Sequence, residues 1–150
     1  MKQLHPLLIA LQFLTTLPIK VSTPVEDKHL GQSLLFYPLV GFIIAAILVL
    51  LATALSAQAP YVTAVLILTV WVALTGGLHL DGLADSADAW LGGLGDKAKT
   101  LSIMKDPTSG PIAVSILVLV LLIKLIMLAE LIAVQNWMAI ILRLQRVKAS

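Results

Sequence analysis

The chain has 150 residues, of which 59% are hydrophobic and 12% charged, with a net charge of +2. No single soluble core of that length hides so many aliphatic side chains, so an ordinary soluble domain is excluded and an all-α, polytopic integral membrane helical bundle is expected. The absence of cysteine removes disulfides and thiolate metal sites, leaving carboxylates, histidine and backbone oxygen, a ligand set that suits hard cations. Basic residues are scattered through short loops and the tail, which gives no footprint for nucleic acid.

Residues 4–19, LHPLLIALQFLTTLPI, are apolar but broken by Pro6, Gln12, two threonines and Pro18, too short and polar for a full span of roughly 20 residues. An interfacial or re-entrant helix is expected there; a signal peptide is disfavoured because no small-residue cleavage site follows the apolar core before Pro18. Residues 34–55 and 60–80 are each long enough to cross a bilayer and read as a hairpin joined by SAQAP. Residues 81–109 follow as an Asp-rich loop. Residues 110–134 form a third transmembrane segment, entered through PTSGP and carrying Lys124 and Glu130 on different faces, so each is expected to find its own partner. Residues 136–150 read as an incomplete fourth span with a basic tail, because Arg143, Arg146 and Lys148 follow only a short apolar stretch.

Lys20 and Lys28 precede the first span and Lys97, Lys99 and Lys105 follow the second, whereas the turn at 56–60 has none. By the positive-inside rule the amino-terminal loop and the Asp-rich loop face the cytoplasm. Trp71, Trp90 and Trp137 suit membrane interfaces, His5 and His29 read as interfacial, and Gly41 and Ala45 suggest a close helix contact.

The chemistry is expected in GGLHLDGLADSAD, residues 76–88. On a helix, steps of four and three bring Asp81, Asp85 and Asp88 within roughly 60° of one another, with His79 in the same segment. Each charge facing lipid costs roughly 2.5–3.5 kcal/mol, so three carboxylates lie either in water at the membrane edge or around a positive partner. A divalent cation is the economical choice. Five of the eight acidic residues fall between positions 81 and 106. Gly82 lets a ligand approach backbone, and Gly92, Gly93 and Gly95 form a turn whose amides are available to anions. Carboxylates for Mg²⁺ beside Lys105, Asp106 and open amides are the parts that phosphoryl transfer requires.

The strings FLTTLPI, FYPLVGFIIA, GGLHLDGLADSADAWLGG and IMKDPTSGPIAV, in this order, resemble the cobalamin synthase family, the adenosylcobinamide-GDP ribazoletransferases, over residues 1 to about 134. The resemblance implies a multi-pass enzyme of the bacterial inner membrane. It would join adenosylcobinamide-GDP to α-ribazole or its 5′-phosphate, release GMP, require Mg²⁺ and complete adenosylcobalamin. It places the acidic motif on Asp81, Asp85 and Asp88, with His79 beside it, and the MKD element on Met104, Lys105 and Asp106. On the residue reading taken with this placement, Asp81, Asp85 and Asp88 are expected to hold metal and Asp81, Asp85, Lys105 and Asp106 to be catalytic, Lys105 steadying the diphosphate and Asp106 binding a second metal or orienting the nucleophile, while His79, Gly82, Gly92 and Gly93 contact substrate.

Family members are about a hundred residues longer, and the tail LRLQRVKAS does not resemble their continuation, so a truncated, inactive form is also expected. A more distant similarity links Asp81, Gly82, Ala84 and Asp85 to the CDP-alcohol phosphotransferases, although the arginine that follows the alanine in their motif is absent. That makes a lipid head-group transferase the second reading and a cation-pathway or transporter subunit the third. Lysines beside the acids favour the enzyme. A homo-oligomer is left open.

Overall fold

The computed structural model describes residues 4–19, 27–103 and 110–148, and every regular element among them is helical. Helix α1 (Leu4–Leu14) covers only part of the interfacial segment expected at 4–19. It stops where the Thr15 hydroxyl donates back to the Leu11 carbonyl at 2.6 Å, ahead of Pro18. Its Phe13 ring stacks on Tyr37, with centroids 6.2 Å apart.

Helix α2 (Asp27–Ser33), a single 3₁₀ turn (Leu34–Phe36) and helix α3 (Tyr37–Ala54) run on from one another. Together they make a span of 26 residues from His29 to Ala54, about 39 Å long and ample for a hydrocarbon core of about 30 Å. Pro38 in the first turn of α3 is tolerated because the amides there have no intrahelical partner.

The expected straight span over 60–80 is corrected by the structure. Helix α4 (Pro60–Thr75) stops at two glycines in left-handed conformation, Gly76 at φ 62° and Gly77 at φ 70°, and helix α5 (Leu78–Gly92) leaves at 83°. Only glycine takes two successive positive φ values cheaply, so the elbow is written in the pair. The Asp-rich stretch is accordingly a helix and not an open loop through Gly92. Helix α6 (Lys97–Ile103) follows, capped by Asp96, whose Oδ1 accepts from the amides of Ala98 and Lys99 at 2.9 and 3.1 Å.

Helix α7 (Pro111–Lys148) is continuous for 38 residues, about 57 Å. The expected separation between a third span ending at 134 and a broken fourth at 136–150 is therefore absent. The reason is local: after Pro111 at its first position the helix contains neither glycine nor proline, and Gln135–Asn136 is too weak a signal to stop it. Its membrane-length apolar part is Pro111–Gln135.

Helix α7 packs against both α4 and α5. Ala64 and Ile67 of α4 and Ala129 and Ile132 of α7 form the buried centre, flanked by Leu48, Leu51 and Ala52 of α3 and Leu125 and Leu128 of α7. Outside this seam Phe42, Leu50 and Met127 stand open on the surface, as lipid-facing side chains do. Gly41 has no neighbour within 4 Å, so the close contact expected around it is not made within the described residues.

Candidate functional site

The elbow between α4 and α5 is held from a distance in sequence. Ending α4 leaves the Leu74 carbonyl without a helical partner, and the Thr16 amide donates to it at 2.8 Å; the Thr16 hydroxyl donates at 2.8 Å to Ala73 O, which also accepts the Gly76 amide. A Cβ on Gly76 would stand 2.8 Å from the Thr16 methyl, so the left-handed turn and the close approach both require glycine there. Thr16 was not singled out by sequence reasoning. The only available signal was the pair of threonines interrupting an apolar run just before Pro18.

From the elbow, α5 carries the aspartates. Asp81 is exposed in its first turn, where a carboxylate also favours the positive end of the helix dipole, and Asp85 one turn on is half-buried. Asp88 does something else. Its Oδ2 accepts the amide of Gly110, and its Oδ1 accepts the amide of Ala113 at 3.0 Å, so it caps the start of α7 from another helix. A Cβ at Gly110 would come within 2.8 Å of the same carboxylate, which accounts for glycine at that position. The three-way convergence expected of Asp81, Asp85 and Asp88 is thus replaced by a division. Among the described residues no three His, Asp or Glu side chains gather into a metal-holding group. Asp81 and Asp85 have no side-chain partner among the described residues, while Asp88 spends one lone pair of each oxygen on α7 and keeps the others.

Gly92 and Gly93 also differ from expectation. A Cβ on Gly92 would lie 2.7 Å from Ile103 Cδ1; one on Gly93 would overlap Thr100 Oγ1 and lie 2.7 Å from Ala89 O. The Gly93 amide already donates to Ala89 O at 3.0 Å, and the residue is buried. These glycines let α6 pack on the end of α5, so the anion-binding turn expected from them is not available at Gly93. Gly82 is the reverse case: exposed, with nothing among the described residues within 4 Å of where a Cβ would stand, it leaves backbone open to a ligand.

His79 sits two residues before Asp81, about 200° away around the helix, and so belongs to a different face. It lines a cleft with Leu68, Trp71, Val72, Thr75, Gly77, Leu80 and Lys124. The Lys124 Nζ stands 4.4 Å from the centroid of the Trp71 ring, a contact that ties α7 to α4. Met104, Lys105 and Asp106 lie outside the described residues.

The sequence profile for cobalamin-5-phosphate synthase matches residues 6–148. The chain belongs to that family. An adenosylcobinamide-GDP ribazoletransferase from Pseudomonas fluorescens (strain SBW25) is 58% identical over 137 residues, covering 91% of this chain and 57% of that relative. Another from Stutzerimonas stutzeri (strain A1501) is 56% identical over 137 residues, covering 91% and 56%. One from Pseudomonas syringae pv. syringae (strain B728a) is 60% identical over 119 residues, covering 79% and 49%. The chain thus spans little more than half the length of the curated relatives it matches. No solved structure gives a significant match.

Proposed function

We propose that this chain carries the acid-bearing membrane half of an adenosylcobinamide-GDP ribazoletransferase. The reaction joins adenosylcobinamide-GDP to α-ribazole or its 5′-phosphate, giving adenosylcobalamin or its 5′-phosphate and GMP. The observation that carries the reading is the identity to relatives of that name across the residues that build α4, α5 and the start of α7.

A ribazole hydroxyl oxygen attacks the phosphorus that bears cobinamide; the bond from that phosphorus to the bridging oxygen breaks, GMP leaves with the electron pair, and the hydroxyl loses its proton. The chain must therefore steady a diphosphate, balance charge on the leaving group and orient a neutral nucleophile. Asp81 and Asp85 offer two hard carboxylates one turn apart, a donor chemistry that fits Mg²⁺, and they would hold it. When bound, the ion neutralises diphosphate oxygens. Asp88 would keep α5 and α7 in register beside them, its remaining lone pairs turned to water. Open space beside Gly82 leaves room for substrate against the helix backbone. Lys105 would balance the departing GMP and Asp106 would orient the hydroxyl. The lysine distribution supports an inner-membrane protein whose α5 and α6 face the cytoplasm, where nucleotide-linked substrates are found.

The test is a chimera in which residues 1–134 of this chain replace the corresponding part of the Pseudomonas fluorescens relative. Reconstituted in lipid with adenosylcobinamide-GDP, α-ribazole and Mg²⁺, it should release GMP and form cobalamin in equal amounts. A chimera that inserts and folds but forms neither would refute the assignment.

A further inference from the structure

Lys124 lies in the interior of the span Pro111–Gln135, where an unpaired cation facing lipid is costly. Such a residue persists when something inside the bundle compensates it. Its contact with Trp71 supplies part of that, but a ring face accepts charge and offers the three N–H donors of an ammonium no lone pairs. Among the described residues no carboxylate forms an ion pair with Lys124.

The ammonium opens instead onto the cleft at the elbow. Three features there share one sign. Lys124 brings a full positive charge, His79 a ring N–H, and the first turn of α5 its dipole; Gly77 at the cap provides no side chain to occupy that turn. Asp81 points to the opposite side of α5 and is not among the cleft's lining residues. With no carboxylate lining it among the described residues, the cleft selects for an anion. Its volume of about 60 Å³ is far below the roughly 300 Å³ of the smallest ordinary small-molecule pockets, so it takes one compact oxyanion and not a whole nucleotide. Broken helices inside membranes present half-helix amino termini to anionic groups for the same physical reason.

We infer that the cleft bounded by Lys124, His79 and Trp71 is a phosphate subsite, taking the phosphate of a soluble monoester or of a lipid head group, on the face of α5 opposite the catalytic aspartates. The inference goes beyond the transfer reaction and does not depend on it. Lys124 donates to the phosphate oxygens, His79 adds a second donor, and Trp71 forms the wall from which the ammonium is drawn when the anion enters.

That last movement provides the readout. In the 150-residue chain carrying Trp90→Phe and Trp137→Phe, Trp71 is the sole tryptophan, and withdrawing the ammonium from its ring changes its emission. Inorganic phosphate, titrated in neutral detergent against chloride at matched ionic strength, should change that emission saturably. Lys124→Gln should raise the midpoint about tenfold or more, as expected for loss of a charge-assisted hydrogen bond, while Lys124→Arg should retain binding. Circular dichroism of both variants confirms that the helices persist. Phosphatidylcholine nanodiscs with and without phosphatidic acid separate the sources. A Trp71 signal already shifted by phosphatidic acid and deaf to added phosphate assigns the cleft to a lipid, whereas a surviving response assigns it to a soluble ester. No saturable change, an equal response to chloride, or the same midpoint in a folded Lys124→Gln chain would overturn the inference. None of these readouts needs turnover, so failure here and failure of the transferase reading are separate results.

Discussion

The two ends of α5 are built from similar residues and do opposite things. At its amino end a glycine pair opens an elbow: Asp81 is exposed, Gly82 has empty space beside it, and His79 faces a cleft. At its carboxyl end a second glycine pair closes a joint: Gly92 and Gly93 are filled by α6, and Asp88 is engaged by the first amides of α7. Residue type alone does not separate a site from a scaffold. What separates them is whether the polar atoms have already been satisfied by the chain.

The largest expected effect lies at the open end. Asp81→Asn in the chimera should lower product formation by about a hundredfold or more, close to 2.7 kcal/mol of transition-state stabilisation, with insertion and helicity unchanged. Turnover near that of the parent at the same Mg²⁺ concentration would remove Asp81 from the site. At the closed end the effect should fall on stability. Asp88→Ala leaves two amides at the start of α7 without their acceptor, costing about 1–3 kcal/mol, and should depress the thermal midpoint in detergent. An unchanged midpoint would show that the cap is dispensable.

The two glycine environments allow a sharper comparison. Gly93→Ala puts a methyl into space already held by Thr100 and Ala89 and should cost about 1–3 kcal/mol. Gly82→Ala, within the same helix but in open space, should raise stability by about 0.5–1 kcal/mol through helix propensity alone. The smallest effect is also the most specific: a rise in melting temperature with a fall in turnover would mark Gly82 as a residue kept for ligand access. Destabilisation at Gly82 would mean that the two ends do not differ as described.

The sequence periodicity was sufficient to expect membrane helices and to put three aspartates on one helical face, because both depend on spacing within one segment. It did not disclose what Asp88 touches. Its partners Gly110 and Ala113 lie 22 and 25 residues away, and only the packing of α5 on α7 brings them together. The elbow shows the same limit. Gly76–Gly77 stands at the head of the acidic motif, but the 83° turn depends on two positive φ values and on Thr16 reaching back from position 16 to the end of α4. Lys124 was legible as a charge in need of a partner, and Trp71 is identifiable as that partner only when α4 lies against α7. The misplaced end of the third span has a simpler origin: a polar pair, Gln135–Asn136, lowers hydropathy without interrupting helical hydrogen bonding, and the helix continues to Lys148.

The most direct test of the division along α5 is the Mg²⁺ dependence of product formation in the chimera for Asp85→Asn and Asp88→Asn side by side with their thermal midpoints. Asp85→Asn should raise the half-saturating Mg²⁺ concentration by about tenfold or more and leave the midpoint near that of the parent. Asp88→Asn should keep the parental Mg²⁺ dependence and lower the midpoint, because the amide side chain keeps one accepting oxygen and sets an NH₂ donor against the other backbone amide. A raised Mg²⁺ requirement with an unchanged midpoint for Asp88→Asn would contradict the division and return Asp88 to the metal.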